Sequence, residues 1–162
     1  MLLAIIADTH LPRGTRRLPN ACIARLKEAD LIVHAGDLST LTVLEELRSY
    51  GEVIAVHGNV DDREVRATLP QAATFDAAGV TVAVVHDAGP RGGRLNRLRR
   101  RFPDAGAVIF GHSHIPLHER TPDGFQIFNP GSPTDRRRAP HHTMGLARAH
   151  DESLHFELVN LD

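Results

Sequence analysis

The sequence predicts an α/β protein built on two mixed β-sheets, each covered on its outer face by helices. Three observations lead there. Apolar, mostly β-branched runs alternate with helical patterns through the first half of the chain. From Ala72 onward hairpin signals replace that alternation. Five short polar segments, Asp8-Thr9-His10, Gly36-Asp37, Gly58-Asn59, His86 and Gly111-His112-Ser113-His114, each follow directly on a strand-like run.

In the first half, Leu2–Ala7, Leu31–His34 and Val53–Val56 read as strands, with helices about Asn20–Ala29 and Leu41–Tyr50 between them. Near-continuous apolar character is what strands buried on both faces require. A βαβαβ order implies parallel pairing with right-handed crossovers. In the second half, Thr74–Ala77 and Val80–Val85 are separated by Ala78-Gly79, and Leu117–Thr121 and Phe125–Asn129 by Pro122-Asp123-Gly124. Both are hairpin turns by composition. Thr143–Ala149 and Ser153–Val159 flank the polar turn His150-Asp151-Glu152. Between these hairpins, Arg91–Phe102 spaces Leu95, Leu98 and Phe102 at three and four residues, as an amphipathic helix does, and Ala107–Phe110 is another buried strand. Pro12-Arg13-Gly14 and Asp61–Pro70 read as loops bordering the site.

At 162 residues the chain, 1–162, is expected to be one domain with room for a sizeable core. A net charge of −1 excludes a global basic field of the kind that draws nucleic acid or anionic membrane. An aromatic content of 4% argues against a stacking groove for polynucleotides. Lys27 is the one lysine, so the local basic clusters are arginine. Arg97, Arg99, Arg100 and Arg101 read as a solvated helix face. Arg136, Arg137 and Arg138 follow the turn-rich Asn129-Pro130-Gly131-Ser132-Pro133 and are either part of a plain surface loop or a group that reaches a substrate rim. Cys22 reads as a small core residue, and a lone cysteine allows no intrachain disulfide. The apolar run Met1–Ala7 is halted by Asp8, too short to span a bilayer and without a signal-peptide pattern, so the expectation is a cytoplasmic protein with no membrane association.

The polar segments carry the chemistry. Strand C-terminal ends converge on one sheet edge, where open α/β sheets bind their ligands. Asp8, His10, Asp37, Asn59, His86, His112 and His114 are too many donors for one ion. Carboxylate, amide and imidazole without thiolate suit Mn²⁺, Fe, Zn²⁺ or Ni²⁺ better than Ca²⁺. Two metals about 3.5–4 Å apart share a carboxylate and clamp a phosphate. Asp37, between the Asp8/His10 pair and the later donors, is the candidate bridge. Each residue alone has a plainer reading: Asp8 and Asp37 could cap helices, and buried histidines often serve only as hydrogen-bonding core residues. Together they would be costly to bury at one edge without a cation. His34, His118, His141, His142, His150 and His155 belong to no such segment.

These segments, from Asp8-Thr9-His10 through Gly111-His112-Ser113-His114 to Asn129-Pro130-Gly131-Ser132, resemble the calcineurin-like metallophosphoesterases. Within them the chain is similar to the small single-domain bacterial and archaeal phosphodiesterases. The resemblance implies a four-layer α/β/β/α sandwich, metallo-dependent phosphatase-like. It implies two divalent metal ions, Mn first, with Ni, Fe, Zn or Mg as alternatives. It puts Asp8, His10, Asp37 and His114 on one metal and Asp37, Asn59, His86 and His112 on the other. Asn59 would also reach the substrate phosphate, and a metal-bridging hydroxide would attack. Asp37, Asn59 and His112 are thus the catalytic candidates, on a small-molecule phosphoester and preferentially a diester. The alternative is a non-catalytic metal-binding scaffold or protein-interaction subunit, the role of a eukaryotic relative with altered ligands; a homo-oligomer fits either reading.

One departure matters. Many members read Gly-Asn-His-Asp or Gly-Asn-His-Glu, whereas this chain reads Gly58-Asn59-Val60-Asp61, and valine cannot transfer a proton. Members of the small branch commonly lack that histidine too. A missing general acid costs about 10²–10⁴ with a poor leaving group and much less with a good one. His57 is either a replacement for it or, as histidines at strand ends more often are, a hydrogen-bonded structural residue. Asp87, where many relatives have glycine, is either a partner orienting His86 or a turn residue of Asp87-Ala88-Gly89-Pro90.

Overall fold

Alternate residues of β1 (Leu2–Ile6) face two different cores: Leu3 and Ile5 point one way, Ala4 and Ile6 the other, and all four are fully buried. A strand so divided must lie between two layers. The computed structural model, which describes residues 1–162, shows both. After β1 come α1 (Asn20–Glu28), β2 (Leu31–His34), α2 (Leu41–Tyr50) and β3 (Val53–Ala55). Then follow α3 (Arg63–Thr68), β4 (Ala72–Ala77), β5 (Val80–Val85), α4 (Arg94–Arg101) and β6 (Ala107–Phe110). The chain closes with β7 (Leu117–Arg120), β8 (Gln126–Asn129), β9 (Thr143–His150) and β10 (Ser153–Asn160).

The first sheet has the order β10-β9-β1-β2-β3, and the second β4-β5-β6-β8-β7. In the first, β1, β2 and β3 pair in parallel, and β9 joins β1 antiparallel with Ile5 opposite Gly145. In the second, β5, β6 and β8 are parallel, with antiparallel β4 and β7 at the edges. Leu3, Ile5, Val33, Val82, Val84 and Ile109 fill the space between the sheets. Across it the Phe128 and Phe156 rings stack at 4.6 Å. Cys22, Leu26, Leu44 and Leu47 of α1 and α2 cover the outer face of the first sheet. Leu98 of α4 covers the second, against Val85, Val108 and Phe110. The four layers expected from the resemblance are present.

Two expectations are corrected. Asp61–Pro70 is not all loop, because α3 lies inside it: the Asp62 side chain accepts the Val65 N–H at 2.8 Å, a side-chain cap that starts the helix. Arg97 does not sit on a solvated face. Its guanidinium donates to the carbonyls of Ala88, Pro90 and Gly92 at 2.8, 2.5 and 3.2 Å and ties α4 to the preceding loop. No helix is long and apolar enough to cross a membrane.

Candidate metal centre

The strands β1, β2, β5 and β6 end side by side, and the chain turns sharply where each of the first, second and last stops. Asp8, His10, Asp37, His112 and His114 all have positive φ, between 47° and 69°. Asp and His are among the residues that tolerate this conformation best, yet each costs about 1–3 kcal/mol unless its surroundings enforce it. Glycine makes the close approach of the loops feasible. A Cβ on Gly58 would overlap Asp37 Oδ1, and one on Gly36, at φ +92°, would lie 2.6 Å from His86 Nδ1.

All seven predicted donors meet in one unbroken run. His114 Nε2 lies 3.5 Å from Asp8 Oδ1 and 3.1 Å from His10 Nε2. His10 Nε2 lies 3.8 Å from Asp37 Oδ2, which is 3.2 Å from His86 Nε2. Asn59 Oδ1 closes the run, 3.1 Å from His86 Nε2 and 3.0 Å from His112 Nδ1. Two groups within it have metal-binding spacing: Asp8 with His10 and His114, and Asp8 with Asp37 and His86.

The second layer settles the tautomers. His86 Nδ1–H donates to the Ala35 carbonyl at 2.8 Å, and His114 Nδ1–H to the Asp135 carbonyl, so both present Nε2 to the cluster. Asp87 does not orient His86; its carboxylate accepts the Gly89 N–H at 2.7 Å in its own turn. The charge state of the metal-free cluster follows from burial and pairing. Burial pushes the Asp8 carboxyl up to about 7, against the opposing pull of His86. Burial works on Asp37 in the same direction, but the His86 hydrogen bond and charge outweigh it and hold Asp37 at about 2. Burial lowers His114 to about 4 and also lowers His10, leaving both neutral. Burial would lower His86 too, yet the Asp37 carboxylate raises it above its ordinary value.

This set fits divalent cations. Asp8 Oδ2 is buried with no hydrogen-bond partner. His10 and His114 bring two ring nitrogens within 3.1 Å, where two bare lone pairs repel unless a proton or a cation lies between them. Nitrogen and oxygen donors without thiolate suit first-row metals.

Three positioning groups were not legible as such. His34, fully buried, accepts the Gly36 N–H at Nδ1 (3.1 Å) and so donates from Nε2 to Thr9 Oγ1 (3.0 Å), joining the first two ligand loops. Asp61 accepts from the N–H groups of Asp37, Ser39 and Gly58. In the Asn129-Pro130-Gly131-Ser132 segment, Asn129 Nδ2 donates to the Gly111 carbonyl at 2.8 Å and Ser132 Oγ to the Asp8 carbonyl at 2.8 Å. The signal for Asp61 lay in its place after Gly58-Asn59; for His34, at the end of an apolar run, there was none. The Arg136–Arg138 loop divides: Arg136 donates to the Ala139 carbonyl within its own turn, while the charge of Arg137 acts on Asp8, His10 and His114.

The model of the calcineurin-like phosphoesterase superfamily domain matches residues 1–152. The chain belongs to that superfamily. Among its relatives is a probable metallophosphoesterase of Methanothermobacter thermautotrophicus, 34% identical over 98% of this chain and 92% of the relative. A second, from Methanocaldococcus jannaschii, is 34% identical over 83% of this chain and 69% of its own. Solved structures agree in fold. A Thermotoga maritima protein superposes with a TM-score of 0.77 at 28% identity over 99% of both chains. Vps29 of Entamoeba histolytica complexed with zinc does so at 0.77 and 21%, covering 100% of both. A structure described as a novel archaeal phosphodiesterase reaches 0.73 at 18% identity, over 98% of this chain and 100% of its own. The family's metal chemistry and the donor cluster, buried at Asp8, His10, Asp37, His86 and His114, agree: this is a metallophosphoesterase domain with candidate metal-binding groups.

Proposed function

We propose that the chain is a two-metal phosphodiesterase acting on small-molecule diesters, with Mn²⁺ the first candidate metal. The observation that carries this reading is the unbroken run of seven donors with the orphaned Asp8 Oδ2 inside it. Asp8, His10 and His114 would hold one ion, Asn59, His86 and His112 the other, and Asp37 both. Bound, the pair would supply an activated water and neutralise charge on the phosphate.

The chain's own groups do the rest. Neutral His10 and His114 need no deprotonation before ligation. The proton on His86 that pairs with Asp37 leaves when a cation replaces it. The Asn59 amide, fixed between His86 and His112, has its NH₂ free to donate to a phosphate oxygen. Val60 is 47% exposed and offers no proton to a departing alkoxide, so leaving groups of low pKa are favoured. The lone buried Cys22 and the absence of a polynucleotide-like basic field fit a cytoplasmic enzyme on a small substrate.

One observation favours a second reading, a metal-binding scaffold: Val60 and Ile115 leave apolar side chains exposed directly beside the ligands Asn59 and His114, as a docking rim would. The deciding experiment is hydrolysis of a chromogenic phosphodiester and its monoester by metal-stripped protein resupplied with Mn²⁺, Ni²⁺, Zn²⁺ or Mg²⁺, beside Asp37→Asn. Metal-dependent turnover of the diester, lost in the variant, is expected. Folded protein that binds metal and turns over neither substrate would favour the scaffold.

A further inference from the structure

A cavity of about 440 Å³ opens beside the donor cluster, sharing Asn59 and His86 with it; His57, Arg66, Gln71, Asp87 and Arg101 supply the other polar side chains of its wall. Val85 is the one apolar lining residue and no Phe, Tyr or Trp faces the space, so it is not a stacking slot for a nucleobase. Its character is charge. The arginine–carboxylate pairs of the chain, Arg16 with Asp135 and Arg99 with Asp123, include neither Arg66 nor Arg101. Arg66 donates to the Asn59 carbonyl, a neutral partner that leaves its charge uncompensated. Asp87, the carboxylate in the wall, spends one oxygen on the Gly89 N–H. His57 donates Nδ1–H to the Gly58 carbonyl at 3.3 Å, which leaves Nε2 unpartnered. Two guanidiniums against one carboxylate give the cavity net positive charge before any cation binds nearby.

Resting on the phosphodiesterase reading above, we propose that this cavity binds a second phosphate, carried on one of the esterified alcohols, and that Arg66 and Arg101 recognise it. Asn59 belongs to both spaces, so a group seated in the cavity stays within reach of the diester held at the ligands. Guanidinium forks match phosphate in geometry and charge. Metals grip any phosphate alike, and this arginine pair selects diesters of phosphorylated alcohols.

The test uses two chromogenic diesters that differ by one phosphate: the 4-nitrophenyl ester of thymidine 5′-phosphate and the same compound carrying a 3′-phosphate. In the wild-type protein the added phosphate raises kcat/KM by about tenfold, through KM, and in Arg101→Gln the ratio falls to about one. In metal-free protein, calorimetric binding of thymidine 3′,5′-bisphosphate weakens by about tenfold in the same variant. Equal kcat/KM for both diesters, or a preference and a bisphosphate affinity that survive in Arg101→Gln, overturn the cavity's role while leaving the phosphodiesterase reading intact. If neither diester is hydrolysed with any metal, that reading fails, and the bisphosphate affinity alone decides the cavity.

Discussion

Asp61 accepts the backbone N–H of Asp37 at 3.1 Å, across 24 positions of sequence, and with the same oxygen takes the Gly58 N–H at 2.6 Å. Its other oxygen takes the Ser39 N–H at 2.6 Å. One buried carboxylate thus locks the Asp37 turn against the Asn59 loop and sets the spacing of the two donors. Asp61→Ala would orphan three N–H groups, each costing about 1–3 kcal/mol when buried. A loss of about 3–5 kcal/mol in urea unfolding of the metal-free protein is expected. Asp61→Asn keeps part of this bonding, so it should fold and lose about 10–100-fold in metal affinity. Unaltered metal affinity in Asp61→Asn would remove its positioning role.

His57, three positions before Val60, lines the cavity that shares Asn59 and His86 with the donor cluster, and is the candidate to replace the missing family histidine. Replacing it with Gln should slow diesters with poor leaving groups by about 10²-fold and leave 4-nitrophenyl esters nearly unaffected. A Brønsted plot of rate against leaving-group pKa, steeper in the variant, is the expected signature. Parallel plots would exclude His57 from proton transfer.

The left-handed backbone at His112, φ 69°, makes an unusual prediction about stability. His112→Ala and His112→Gly delete the same imidazole, but only glycine relieves the strain. The glycine variant should be the more stable of the two by about 1 kcal/mol in metal-free protein, the reverse of the usual order. Equal or lower stability would mean that the turn carries no strain.

His34 supplies a pH dependence away from the ligands. Burial holds it at about 3, against 6.5 in an exposed histidine. The unfolded chain therefore takes up a proton that the folded one refuses, and stability falls as pH drops below about 6.5 toward 3. Above that window both states are neutral and the effect vanishes. In His34→Gln the slope of unfolding free energy between about pH 6 and pH 4 should decrease by about 1.4 kcal/mol per unit, one proton's worth. An unchanged slope would show that His34 is charged in the fold.

Much of the architecture was legible because strands and hairpins have local causes. β2, β5, β6 and α2 lie on the runs that apolar pattern picked out, and Ala78-Gly79 turns a hairpin because both residues reach positive φ. α3 was missed because six residues show too little periodicity; the Asp62 cap was its sole local sign. The adoption of the β9–β10 hairpin by the first sheet, against β1, was also beyond local pattern, since both sheets need apolar strands equally.

The sequence by itself determined the donor types, their order, and the strand ends that carry them, because ligand chemistry and β-periodicity are properties of residues and near neighbours. Only the tertiary structure decided that Asn59 stands between His86 and His112, and that His34 and Asp61 brace the loops. It also decided that Arg66 and Arg101 share one cavity. The physical reason is common to all of these: left-handed turns, buried N–H groups and unpaired guanidiniums get their meaning from partners distant in the chain, brought together only when the two sheets close on their shared core.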